Sequence, residues 1–146
     1  MAQQLSSDSL YVPKVGIASM KGVSYGYLFF GRHQIIYTPQ MSHNLTGYRI
    51  MKETSLNIDK YNDLAFWDVI PEMSKELNPD QLEEFANEMA SKIKGGIVTS
   101  YHAVLEYKIG FLAGFTVKSH EKKTRFSVGG KRKEIKAFLK KTGKLN

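Results

Sequence analysis

Cysteine is absent from this chain of 146 residues. Without thiols the protein has neither a disulfide scaffold nor a thiolate zinc site, and a composition free of cysteine fits a reducing compartment. No apolar run approaches the roughly 18 residues that a membrane-spanning helix needs, and the opening residues lack the basic and apolar stretches of a signal peptide. We therefore expect a cytoplasmic protein that has no membrane partner.

Familiar catalytic motifs are also missing from the sequence. None of the four histidines is spaced four residues from another within a predicted helix, as a helical zinc site requires. We find no glycine-rich phosphate loop of the nucleotide-binding types, and no serine lies in a nucleophile elbow. The sequence therefore predicts no cofactor and no resident metal, and it favours a binding protein over an enzyme.

Charge is abundant and unevenly distributed along the chain. The formal net charge is +7, yet residues 118–146 contain eleven basic side chains against two acidic ones. Residues 59–88 contain nine acids against two lysines. A basic end beside an acidic middle indicates a polyanionic partner, or a charge match within the protein or between copies of it.

Short aromatic and β-branched stretches open the chain after residues 1–10, which are polar and expected to be loose. The stretches at 15–20, 23–30 and 33–38 are separated by two-residue connections, which are typical of tight hairpins. A fourth strand is predicted at 47–52. The sequence thus begins as an antiparallel meander.

Two helices are predicted in the middle of the chain. The first spans acidic residues and meets Pro71, which would kink or end it. The second is better defined, because Asn78 can cap it, Pro79 suits the first helical position and Gln81 completes a capping box. Gly95 marks its end.

The last third of the chain contains one ambiguous segment. Residues 97–112 alternate as a strand does, although Val98 and Leu105 also fit a helical stripe, and we favour the strand. Residues 115–128 predict a hairpin around a polar turn, and residues 131–141 predict a short basic helix.

Together these elements predict one α+β domain over residues 1–146. An antiparallel β-meander sheet packs against the two central helices, and a short basic helix follows at the C-terminus. No linker rich in proline or serine divides the chain.

The basic end is the first candidate site. Gly129 and Gly130 precede a helix whose first turn is cationic, which opposes the helix dipole unless an anion is bound there. The alternative is a solvated amphipathic helix. The candidate phosphate-contacting residues are Lys118, Lys122, Lys123, Arg125, Lys131, Arg132, Lys133, Lys136, Lys140 and Lys141.

Aromatic residues of the second stretch form another candidate site. Tyr25 and Tyr27 would share one strand face, where exposed rings beside positive charge can stack on nucleic-acid bases. The letters YGYLFF resemble part of an RNA-recognition-motif strand over about half a dozen residues. Val23 and Ser24 stand where that motif has a basic residue and glycine, so we assign no family. The favoured alternative places these rings in the core.

The leading hypothesis is a non-catalytic nucleic-acid-binding protein that uses the basic end for phosphates and the two tyrosines for stacking. A protein-interaction module, an inhibitor, adaptor or assembly subunit, is the alternative, with the acidic helices and basic end meeting a partner or a second copy. A metal-dependent nuclease is the third, because Asp80, Glu106 and Lys108 imitate a two-carboxylate and lysine arrangement.

Overall fold

The computed structural model describes residues 2–20, 22–40, 61, 64–110 and 114–145. The strands of this part are β1 (Gln3–Ser6), β2 (Ser9–Ser19), β3 (Gly22–Phe30), β4 (Gln34–Pro39), β5 (Ile97–Ser100), β6 (Val104–Ile109), β7 (Gly114–Ser119) and β8 (Lys123–Ser127). The helices are α1 (Val69–Met73), α2 (Pro79–Lys92) and α3 (Arg132–Lys141). The predicted α+β architecture, with an antiparallel sheet and a short C-terminal helix, is confirmed.

Two antiparallel meanders make up the sheet. Its strand order is β5-β4-β3-β2-β8-β7-β6, and β1 pairs with the first half of β2. Gln3–Ser6 is therefore a strand where the sequence predicted a loose segment. The strand predicted at 47–52 lies outside the described residues.

Helix α2 begins as its sequence predicts, and the ambiguous segment forms two strands. The Asn78 side chain accepts a hydrogen bond from the Gln81 backbone N–H, and the Gln81 side chain accepts one from the Asn78 N–H, so the capping box predicted for α2 forms. Pro71 lies within the short helix α1. Residues 97–109 form β5 and β6, separated by a 3₁₀ turn.

The sheet is strongly curved. Strands β5 and β6 lie at opposite ends of the strand order, so a flat sheet would separate them by about 29 Å. Only residues 101–103 connect them, and the step from Ser100 to Val104 spans at most about 14 Å. The two edges of the sheet must therefore approach each other.

Apolar side chains cover both faces of this curved sheet. On one face Tyr27 and Phe29 of β3 pack against Phe85 of α2 and its neighbours. On the concave face Phe30 packs against Phe138 of α3, with ring centroids 6.0 Å apart. The sequence predicted a cover of two central helices on one side, whereas the C-terminal helix covers the other side.

No helix among the described residues is long and apolar enough to cross a membrane, and α2 has 14 residues.

Helix α3 is therefore expected to be part of the core rather than an appended tail. We predict that Phe138→Ala lowers the free energy of unfolding by about 3–5 kcal/mol, because it removes a buried ring from the concave face. Urea denaturation measures this change. Lys136→Ala, an exposed substitution on the same helix, should stay within about 0.5 kcal/mol of the parent protein. Equal stabilities of the two variants would contradict the packing of α3.

Candidate nucleic-acid interface

Side chains of the β7–β8 hairpin alternate between a buried face and an exposed face. Thr124 and Phe126 of β8 are buried, whereas Lys123 and Arg125 point to the opposite, exposed face. Directly across the strand pair, Lys118 lies opposite Lys123. The hairpin therefore presents cations from both strands on one face.

Strand β6 extends this exposed face by one more row. Glu106 lies opposite Lys118, and Lys108 lies opposite Thr116, which in turn lies opposite Arg125. We call the set formed by Lys108, Thr116, Lys118, Lys123 and Arg125 the basic strand face. A shallow cleft of about 280 Å³ lies on it, lined by Lys108, Gly110, Gly114, Thr116, Lys123 and Arg125.

The cations of the basic strand face are only partly balanced, because Glu106, opposite Lys118, is the one acid that lines a cleft with Lys108, Lys118 and Lys123 among the described residues. Lys118 and Lys123 are like charges directly opposite each other, an arrangement that destabilises a strand pair. Among the described residues, no ion pair joins Lys108, Lys118, Lys123 or Arg125 to an acid. A bound anion would relieve this repulsion.

A row of small residues leads from the basic strand face to β3. Gly114 lies opposite Ser127, Ser127 opposite Gly16, and Gly16 opposite Tyr25. A Cβ atom added to Gly16 would lie 3.4 Å from the Tyr25 ring, and one added to Gly114 would lie 3.0 Å from the Arg125 Nε. Tyr25 and Arg125 therefore lean over glycines at the two ends of this row.

Tyr25 and Tyr27 point to the same face of the sheet but differ in environment. Tyr25 is 56% exposed, because the helical layer does not reach it. Tyr27 is 0% exposed and packs between Tyr11 and Phe66, and burial raises the pKa of its phenol. The prediction that Tyr27 stacks on a base is therefore incompatible with its position, and Tyr25 alone of this pair is accessible.

Two basic residues at the N-terminus of α3 donate hydrogen bonds to backbone carbonyls. Lys131 Nζ donates to the Pro13 carbonyl oxygen at 2.6 Å, and the Arg132 guanidinium donates to the Gly110 oxygen at 2.9 Å. Burial, with repulsion from Lys14 as the second cause, lowers the pKa of Lys131. These two cations thus have acceptors within the protein, which offset their unfavourable interaction with the helix dipole without an anion.

The remaining basic residues of the C-terminal segment lie elsewhere. Lys122 lies in the β7–β8 turn, where its backbone N–H donates to the Ser119 hydroxyl. Four lysines are exposed on α3, which packs on the concave face and so lies on the other side of the sheet from the basic strand face; they are Lys133, Lys136, Lys140 and Lys141. The basic end therefore forms two separate surfaces.

Acidic residues gather along α2 instead. A cleft of about 790 Å³ is lined by His33, Gln34, Asp80, Glu83, Glu84, Asn87, Glu88, Ser91 and Lys92. Within it, one ligand atom each from His33, Asp80 and Glu83 lies within 4.8 Å of the others, a spacing at which the three groups could hold one metal ion. The sequence missed this group, because 50 positions separate His33 from Glu83.

Protein groups already use the oxygens of this cluster. The buried Glu83 carboxylate accepts hydrogen bonds from the backbone N–H of Arg32 at 2.8 Å and of His33 at 3.0 Å. The Arg32 guanidinium contacts Asp80 at 3.3 Å and Asp8 at 3.1 Å. This arrangement fastens the β3–β4 turn to α2, and we assign it a structural role.

The nuclease-like residues lie in different clefts. Glu106 and Lys108 line one cleft of about 140 Å³ on β6–β8, together with Thr116, Lys118 and Lys123. Asp80 lies in the first turn of α2 and lines the acidic cleft instead. The structure thus joins one carboxylate to the lysine but does not bring the second carboxylate to them.

Lys108 is the residue of the basic strand face that the C-terminal charge count left out. It precedes the basic segment by ten positions and joins it only through the β6–β7 pairing. The alternating polar pattern on β6 was the signal in the sequence that could have identified Lys108.

Comparison with known proteins adds no assignment, since no family model, curated protein or solved structure matches the chain.

The structural role of Glu83 leads to a stability prediction. Glu83→Gln removes the charge that accepts two backbone N–H bonds, so we expect unfolding to become easier by about 1.5–3 kcal/mol, as measured by urea denaturation near pH 7. Glu84→Gln is the matched control, because Glu84 is the exposed neighbour, and it should change stability by less than about 0.5 kcal/mol. A Glu83→Gln protein as stable as its control would show that these bonds contribute little.

Proposed function

We propose that this protein binds nucleic acid through the basic strand face. The observation that carries the proposal is the exposed cross-strand array of Lys108, Lys118, Lys123 and Arg125. These cations form no salt bridge among the described residues, and they outnumber Glu106, the acid that lies opposite Lys118. Phosphate contacts of this kind supply most of the affinity in sequence-independent nucleic-acid binding.

The chemistry of the array suits a phosphate backbone. An arginine guanidinium can donate two parallel hydrogen bonds to one phosphate, and lysine ammonium groups act as point charges beside it. Thr116 adds a hydroxyl between Lys108 and Arg125 in the same row. Since neighbouring rows on one face of a strand are separated by about 6.6 Å, the array can meet more than one phosphate.

The row of small residues supports close approach to the sheet. Gly114, Ser127 and Gly16 present little side chain between Arg125 and Tyr25, so a bound chain can lie near the backbone there. Three strand spacings separate Gly114 from Tyr25, or about 14 Å across the sheet. Phosphates at one end and an aromatic ring at the other are the two components of sequence-tolerant binding.

The lysines on α3 are not part of the proposed interface. They face away from the basic strand face, and Lys140 and Lys141 have an alternative explanation, because cations near a helix C-terminus interact favourably with the helix dipole. One nucleic-acid segment lying flat on β6–β8 would not reach them.

A protein-interaction role is the second candidate. The acidic cleft along α2 and the basic strand face carry opposite charge on separate parts of the molecule. Copies of the chain that join through these surfaces would associate at low salt without nucleic acid, which sedimentation velocity would detect.

Substitution of the four cations tests the proposal. We expect the Lys108→Gln, Lys118→Gln, Lys123→Gln and Arg125→Gln combination to weaken binding of labelled oligonucleotides at low salt. The slope of log K against log salt should fall by about 0.7 for each cation that contacts a phosphate of a single strand, or about 0.9 for a duplex. Fluorescence anisotropy across a salt series measures both quantities.

The matched control removes the same number of charges from α3. The Lys133→Gln, Lys136→Gln, Lys140→Gln and Lys141→Gln combination should leave the salt slope close to that of the parent protein. If the α3 combination abolishes binding and the strand combination does not, the interface is on the helix and the proposal is wrong. Absence of binding by the parent protein at low salt would end it altogether.

A further inference from the structure

The turn between β2 and β3 forms an exposed apolar projection. Among the described residues, β4 pairs with β3 as far as Pro39 opposite Gly26, and β8 pairs with β2 at Gly16. Beyond these points residues 17–19 pair with residues 22–24, and Met20 lies in the turn. We call this segment the hairpin tip.

The hairpin tip carries apolar side chains in water. Met20 is fully exposed and Val23 is 54% exposed, and Tyr25 adjoins them at the base of the tip. Val23 lies opposite Ala18, and Tyr25 lies opposite Gly16, so Val23 and Tyr25 share one face, and Met20 lies in the turn beyond them. Neighbouring apolar groups that remain exposed indicate a binding surface, whereas scattered ones need no explanation.

This apolar surface is continuous with the basic strand face. Both lie on the same side of the sheet, since Tyr25, Gly16, Ser127 and Gly114 are successive cross-strand partners. A ligand that covers both must combine negative charge with exposed apolar or aromatic faces. Unpaired nucleotides have this combination, whereas the bases of a duplex are stacked inside it and turn only their edges to the grooves.

We infer that the preferred ligand is single-stranded nucleic acid, with phosphates on the basic strand face and unpaired bases on Tyr25 and the adjoining Val23 and Met20. This inference rests on the proposed function and adds the strand form. An anionic lipid surface would satisfy the same two features. The row of small residues favours nucleic acid, because an extended chain can follow it across the sheet from Arg125 to Tyr25.

Two substitutions of Tyr25 separate stacking from hairpin stability. Tyr25→Phe keeps a ring, whereas Tyr25→Leu keeps an apolar cover over Gly16 but has no aromatic face. We expect Tyr25→Phe to bind a labelled single strand as the parent protein does, and Tyr25→Leu to bind it about 5- to 150-fold more weakly. Neither should change binding of the matching duplex by more than about twofold.

A second pair of variants tests the hairpin tip itself. Met20→Ser combined with Val23→Ser should weaken binding of the single strand more than that of the duplex. Leu105→Ser is the control, because Leu105 on β6 is 53% exposed but lies outside the proposed surface. Thermal unfolding of each variant shows that the fold is retained.

Each outcome bears on the inference in a defined way. A parent preference for the single strand that is lost in Tyr25→Leu supports it. Equal affinities for single strand and duplex, unaffected at Tyr25 but lost with the four strand cations, would overturn it and leave the proposed function intact. Binding of phosphatidylserine vesicles that depends on Met20 and Val23, without oligonucleotide binding, would overturn both.

Discussion

The Tyr37 and Phe126 rings meet with centroids 5.5 Å apart, although their strands β4 and β8 are three positions apart in the sheet. In a flat sheet those strands would be separated by about 14 Å. Contact is possible because the sheet curves around α3, whose buried residues Ile135, Phe138 and Leu139 fill the concave side. The arrangement of the charged surfaces depends on this curvature, since it commits one side of β6–β8 to the core.

Strand alternation then determines which face of β6–β8 carries the charged side chains. Once Phe115 and Phe126 face α3, the intervening residues of β7 and β8 must face the other way. Helices α1 and α2 pack on that outer face over the first meander, and no other helix of the described residues packs on the outer face of the second meander. The basic end thus divides between the basic strand face and the solvent side of α3.

Because the basic end includes β8 and α3, removal of residues 118–146 would delete both elements and unfold the protein. Charge substitution is therefore the appropriate test.

Some of this could be predicted from the sequence and some could not. The hairpin over residues 115–128 and the capping box of α2 rest on local signals, and both predictions were correct. The difference between Tyr25 and Tyr27 is not local, because both point the same way and only the extent of the helical layer separates them. The amphipathic stripe of α3 predicted a buried face but could not indicate which side of the sheet it covers.

Contacts between distant segments of the chain account for the rest of what was missed. Lys108 joins Lys118 and Arg125 through pairings that no single stretch of sequence encodes. The His33, Asp80 and Glu83 group likewise forms only when the β3–β4 turn meets α2. Lys131 and Arg132 were predicted to bind an anion, whereas the Pro13 and Gly110 carbonyls accept their hydrogen bonds. Each of these contacts joins distant segments of the chain.

Titration of the ¹⁵N-labelled intact protein with a short single-stranded oligonucleotide would locate its ligand surface most directly. Amide shift changes should concentrate on residues 15–26 and on β6–β8, with α2 and the solvent side of α3 little affected. Changes concentrated on α3, or on the acidic cleft along α2, would contradict the central claim that the open face of the curved sheet is the binding surface.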